Sequence, residues 1–161
     1  MTLGSHQRTI GKSQVHITPK PMIEALGPFD LDPCAADPRP WDCARVNISL
    51  PGDGLAAKWT GRVWLNPPFH RYEVSSWIER LAEHGRGTAL IHARTETKWF
   101  RPIWRSATAI LFLAHRVVFF KQDGTPQTTS KGDVANSGAP VVLVAFGDDD
   151  ARRLRAAGLA G

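Results

Sequence analysis

Asn66-Pro67-Pro68-Phe69 sets an amide, a backbone carbonyl with no helix to use it and an aromatic face within one turn. The four residues follow Arg62-Val63-Trp64-Leu65, a run whose β-branched and aromatic content predicts a short buried strand. Neither proline can donate to a ladder, and each pushes the residue before it out of the helical region. The strand therefore ends in a rigid turn at its C-terminal edge. Asn66 and the Pro67 carbonyl can accept two N–H bonds, and Phe69 can stack on a ring. A flat amine carrying two protons fits this set. A proline-stiffened turn with a core Phe is the other reading of the same residues.

A second candidate lies upstream. Phe29-Asp30-Leu31-Asp32-Pro33-Cys34-Ala35 alternates apolar and polar and then breaks at Pro33, which predicts a strand ending near Asp32. A carboxylate at the tip of a parallel strand is where α/β proteins bind ligands. A turn-forming Asp-Pro is an equally ready account. Asp53-Gly54-Leu55 reads as a turn with an acidic side chain beside it. Lys98, Arg101 and Arg105 share one basic face at spacings of three and four, for which a solvated surface is the commoner explanation.

Other chemistries find no support. There is no GxGxxG after the first strand, no P-loop, no HExxH and no GxSxG. The six histidines are scattered, and nothing points to a metal site. Cys34 and Cys43 have no CxxC or Cys/His ligand spacing, so they read as reduced thiols of a cytoplasmic protein.

The elements that must carry these residues follow from the pattern. Thr18 caps a helix over 19–26 with Pro19 at its first position, and Gly27-Pro28 closes it. Residues 43–50 hold a second short strand. Val74, Trp77, Ile78 and Leu81 recur at helical spacing within 73–84, with Gly85 at the stop. Residues 87–93 predict a strand, the polar loop Arg94-Thr95-Glu96-Thr97 follows, and Trp99, Phe100, Ile103 and Trp104 mark a second amphipathic stretch. Two β-rich runs, 109–113 and 117–120, flank Ala114-His115-Arg116. Residues 122–138 read as a mobile loop, long enough to be functional or disordered. A strong strand over 140–146 and a helix over 148–157 close the chain, the helix with acids first and arginines after, as its dipole favours.

Strands alternating with helices predict an α/β fold: a reduced Rossmann-like sheet, mostly parallel with an antiparallel C-terminal edge, and helices on both faces. The 161 residues suffice for one core, with 1–16 a flexible N-terminal segment and 17–161 a single domain. No apolar run approaches membrane-spanning length, and no signal-peptide region opens the chain. With 20 Lys and Arg against 15 acids, the formal charge of +5 suits a phosphate-backbone partner without demanding one.

Taken together, the motifs resemble the phage-type DNA N6-adenine methyltransferases, the small Dam-like family. The matching residues are Thr18-Pro19, Asp30-Leu31-Asp32-Pro33-Cys34-Ala35, Asp53-Gly54-Leu55 with Trp59, and Val63-Trp64-Leu65-Asn66-Pro67-Pro68-Phe69. Further on come Ala93-Arg94-Thr95, Thr97, Trp99-Phe100, Arg116 with Phe119, and the strand ending Phe146-Gly147. The resemblance spans roughly 18–147. It implies S-adenosylmethionine as methyl donor and adenine in double-stranded DNA as acceptor. By the same resemblance Asn66, Pro67, Pro68 and Phe69 are the catalytic turn. Thr18, Pro19, Asp32, Pro33, Cys34, Ala35, Asp53 and Asn66 line the donor site, and Arg94, Thr95, Thr97 and Arg116 contact the nucleotide or its backbone. Members generally carry Tyr where this chain has Phe69, and stacking is retained. Adenine in RNA and a glutamine side-chain amide offer the same planar NH₂ and remain alternative acceptors, and a catalytically inactive nucleic-acid-binding relative is the alternative of another class. The expected compartment is the cytoplasm, that of a bacterial host if the gene belongs to a phage or prophage.

Overall fold

The computed structural model describes residues 15–69 and 73–161. Six strands form one sheet in the order β2-β1-β3-β4-β6-β5. They are β1 (Leu31–Asp32), β2 (Val46–Asn47), β3 (Val63–Leu65), β4 (Gly87–His92), β5 (Ala109–Phe112) and β6 (Val141–Phe146). The first four are mutually parallel; β6 runs antiparallel to both β4 and β5. The α/β class and the antiparallel C-terminal edge are as the sequence predicts.

Strand alternation explains the two-sided cover. Val63 and Leu65 of β3 pack with Ala89 and Ile91 of β4 under α2 (Val74–His84) and α3 (Arg101–Ser106), through Trp77, Ile78, Leu81 and Ile103. The intervening Trp64 and Leu90 face the other way, against α1 (Lys20–Leu26) and α4 (Asp148–Ala156), through Ile23, Leu26, Ala151 and Leu154. Central strands buried on both faces read as continuous apolar runs, as β6 does in Val141–Phe146. Helix α2 stops at Gly85, whose φ of 69° is the left-handed conformation that glycine adopts freely and whose N–H reaches the Leu81 carbonyl.

Three expectations change. Residues 117–120 form no strand: Phe120 makes isolated bridges to Ile17 and to Pro126. The apolar alternation there comes from Val117 and Phe119 pointing into the core. The polar stretch 122–138 is folded back on that segment, with the Gln127 N–H donating to the Phe119 carbonyl, the Ser137 N–H to the Val117 carbonyl and Thr128 bridged to Val134. Val15 and His16, assigned by sequence to a flexible N-terminal segment, are held by the fold: the Gln127 side chain donates to the Val15 carbonyl, and Ile17 pairs with Phe120. The rest of that segment, 1–14, lies outside the described residues. No described helix is long and apolar enough to cross a membrane.

Candidate active site

The strand order creates the site. The chain leaves β1 for β2 on one side, then returns past β1 to β3 on the other. The crevice outside the carboxyl ends of β1 and β3 is thus a topological switch point, where open α/β sheets bind ligands. Asp32 ends β1 and Asn66 directly follows β3. Asn47, the register partner of Asp32, ends β2 beside them.

Asp32 is buried, 5% exposed, with one carboxylate oxygen accepting the Cys34 N–H at 3.1 Å. Among the described residues no cation lies within ion-pair distance of it. Burial pushes its carboxyl up to about 7, against the pull of the Cys34 N–H and of Arg39. The Cys34 thiol reaches the Asn66 carbonyl at 3.4 Å, which ties the two candidate motifs together. Burial first, and the Asp32 charge second, hold that thiol well above its usual range, so it stays protonated and is no nucleophile.

Asn66 is held in one orientation. Its Nδ2 donates to the His16 carbonyl at 2.6 Å and to Thr18 Oγ1 at 3.2 Å. A backbone carbonyl can only accept, so the amide nitrogen faces it and Oδ1 must point the other way. That Oδ1 is buried and has no hydrogen-bond partner among the described residues, a state that costs free energy until a donor arrives. Among the described residues no hydrogen bond reaches the Pro67 carbonyl either. Thr18 is buried in turn, its carbonyl fixed by the Trp41 indole N–H at 3.0 Å.

Beside this acceptor pair stands an aromatic group. Phe69 stacks on His92 at 4.2 Å between centroids and 11° between planes, with His16 at 5.7 Å and Phe119 at 6.2 Å, both tilted. Burial, with help from Arg94 and His16, holds His92 down to about 4, and burial lowers His16 as well. Both imidazoles are therefore neutral near pH 7.

Two oxygens without donors among the described residues, a flat aromatic neighbour and a buried carboxyl on the adjoining strand make a site with room in its chemistry for a planar amine and a cation. The family model for DNA N-6-adenine-methyltransferase (Dam) matches residues 11–149. The chain belongs to that family. No curated protein matches it. Membership in the Dam family makes DNA adenine N6 methylation the general activity class.

The remaining residues singled out from sequence divide into two groups. Pro33, Cys34, Ala35, Thr18 and Pro19 lie around Asp32 and Asn66, with the Ala35 N–H donating to the Ile48 carbonyl just beyond β2. Asp53 is exposed and caps its own turn, one oxygen accepting the N–H groups of Leu55 and Ala56 at 3.0 Å each. That turn sits on Pro33 so closely that a Cβ on Gly54 would collide with the Pro33 carbonyl. Trp59 fastens it by donating to the Gly54 carbonyl at 2.7 Å. Thr97 is committed to its loop through the Arg94 carbonyl, and the Thr95 carbonyl accepts from Trp104. Arg94 and Thr95 are half-buried after β4, while Arg116 is exposed three residues before Phe119.

Sequence reasoning missed His16, Asn47 and His92. Asn47 Oδ1 is a second buried acceptor without a partner among the described residues, its Nδ2 turned to the Ala44 carbonyl at 2.7 Å. A polar residue ending an otherwise apolar strand is the signal that would have found His92; Asn47 alternates with Arg45 and Ser49 in its run and carries no such signal. His16 gave no such signal, because it acts on Asn66 through its backbone.

Proposed function

We propose that this Dam-family protein transfers a methyl group from S-adenosylmethionine to the exocyclic amine of an adenine flipped out of double-stranded DNA. The observation that carries the reading is the buried Asn66 Oδ1, turned away from the His16 carbonyl that its Nδ2 bonds, which has no donor among the described residues, as the carbonyl of the next residue, Pro67, has none.

The chain's residues fit the donor. Asp32 is a buried carboxyl in want of a cation, and Asn47 Oδ1 is a buried acceptor in want of a donor. An ammonium and ribose hydroxyls answer those two needs. Asp32, Pro33, Cys34 and Ala35 would hold the amino acid part, with Thr18, Pro19, Asp53 and Asn66 around the same space. When bound, the donor supplies a methyl group activated by a sulfonium.

The protein's part is positioning and electrostatics. An adenine amine is a poor nucleophile because its lone pair is delocalised into the purine. Accepting its two protons at Asn66 Oδ1 and the Pro67 carbonyl draws the nitrogen toward a tetrahedral shape. The amide of Asn66 is neutral and takes no proton, so the proton leaves after transfer. Flipping the base costs a few kcal/mol of pairing and stacking. Stacking on Phe69 recovers about 1–3 kcal/mol of it. Arg94, Thr95, Thr97 and Arg116 are the candidates for the flipped nucleotide and its phosphates.

Incubation with labelled S-adenosylmethionine and unmethylated DNA, followed by nucleoside mass spectrometry, tests the proposal. N6-methyladenine is the expected product. Label in RNA or in protein glutamine, with the DNA unmodified, overturns the choice of acceptor.

A further inference from the structure

The Phe69–His92 pair is the closest and flattest aromatic contact among the described residues. At 4.2 Å and 11° it is a face-to-face stack, whereas the other pairs lie at 5.1 to 6.3 Å and are tilted, edge-on or more loosely stacked. The two rings come from elements of different stiffness. His92 is the last residue of β4, a central strand paired along its whole length with β6, where His92 opposes Val141. Phe69 stands beyond two prolines, outside any strand, half-buried with His16 and Phe119 tilted against it. His92, held in the strand ladder, is the ring that lies flat on one of its faces.

We propose that His92 is a positioning residue: it backs one face of Phe69 and sets the ring plane, so that the flipped adenine stacks on the opposite face. Phe69 is then the middle layer of an imidazole–phenyl–purine stack. The inference rests on the proposed function and adds a residue that the catalytic turn does not contain. Binding on the opposite face keeps the existing stack and adds a second. Binding on the His92 face would first have to break a contact of comparable worth. A His92 ring that stays neutral near pH 7 brings no charge, and no hydration shell, to that face.

The test uses three variants of the full chain: His92→Ala, His92→Leu and His92→Phe. Single-turnover methylation of DNA is measured with donor affinity by calorimetry and with the fluorescence of a 2-aminopurine placed at the target. His92→Ala is expected to slow transfer about three- to tenfold at unchanged donor affinity, in line with the loss of one aromatic stack. His92→Leu retains apolar volume without a flat ring and is expected to be as slow. His92→Phe restores the rate. Rescue by Leu as full as by Phe reduces His92 to core packing and overturns the proposal. A His92→Ala enzyme as fast as wild type, or faster, also overturns it; the faster case makes the imidazole an occupant that the base must displace. If wild type transfers no methyl to any DNA, the underlying function fails and this inference falls with it. If wild type methylates DNA and His92→Phe is as slow as His92→Ala, the role of His92 is overturned while the underlying function stands.

Discussion

Arg62 and Asn66 bracket the same three-residue strand, and their surroundings differ in kind. At the N-terminal end of β3, the Arg62 guanidinium is buried and donates to Asp150 at 2.7 and 3.1 Å, to the Pro28 carbonyl at 2.6 Å and to the Leu26 carbonyl at 3.1 Å. It lies over the Phe29 ring, and Thr88 adds a bond to the same Asp150 oxygen at 3.1 Å. One Asp150 oxygen has no bond of its own among the described residues, but the charge is matched. At the C-terminal end the reverse holds. Asp32 has no ion-pair partner, and Asn66 Oδ1 and Asn47 Oδ1 have no donor among the described residues. Polar groups buried in pairs fasten helices to a sheet; polar groups buried without partners cost stability and persist where a ligand completes them. The two ends teach which edge is latch and which is pocket.

The largest expected effect is at the latch. Arg62→Ala leaves Asp150 buried without its cation and should cost about 3–5 kcal/mol of stability. Urea unfolding measures it. Arg62→Met combined with Asp150→Leu should recover most of the loss, since removing both charges removes the mismatch. A mild effect of Arg62→Ala alone would mean that the pair contributes little to holding α4 on the sheet.

At the pocket end the effect on folding is smaller. Asn66→Ala removes the unpartnered Oδ1 but also the two bonds that Nδ2 makes to the His16 carbonyl and to Thr18 Oγ1, so it should cost about 1–2 kcal/mol of stability, less than the latch. Transfer should fall by roughly a hundred- to a thousandfold, as when a single transition-state hydrogen-bonding group is deleted. Donor affinity should stay near wild type. Single-turnover rates and calorimetry separate the two quantities, and loss of donor affinity with turnover preserved would reverse the role of Asn66.

What was legible in the sequence follows the range of the physics. The end of β3 just before Asn66, the helix stop at Gly85 and the strand ending at Asp32 depend on neighbours in sequence, and each stands where expected. The latch joins residues 88 positions apart, and Arg62 reads in the sequence as a strand's polar margin. His16 holds Asn66 from 50 positions away through a carbonyl that every residue type possesses, so no residue pattern could reveal it. Residues 117–120 mislead because burial of alternate side chains looks the same with or without a ladder. The polar stretch 122–138 misleads for the complementary reason: its anchors are mostly backbone bonds, which composition does not report.

Asp32 gives the most delicate contrast between the two ends, because there one group carries both a stability penalty and a binding role. Its folded value near 7 stands above the ordinary 3.8, so between those limits the folded chain binds more protons than the unfolded one. Stability of the free protein therefore falls as pH rises through that window, by up to about 1.4 kcal/mol per pH unit, and levels off above it. Asp32→Asn should abolish this slope, leaving the variant more stable than wild type at pH 8 and similar to it at pH 3. Donor binding runs in the opposite sense. A cationic donor group favours the carboxylate, so wild-type affinity should climb as pH passes upward through about 7. Asp32→Asn should lower that affinity about tenfold or more and flatten its pH dependence, as expected for losing a charge-assisted bond. Calorimetry and unfolding across the same pH series read both. Equal donor affinity in variant and wild type would remove Asp32 from the pocket, and a wild-type stability that does not decline between pH 4 and 7 would mean that its charge already has a partner.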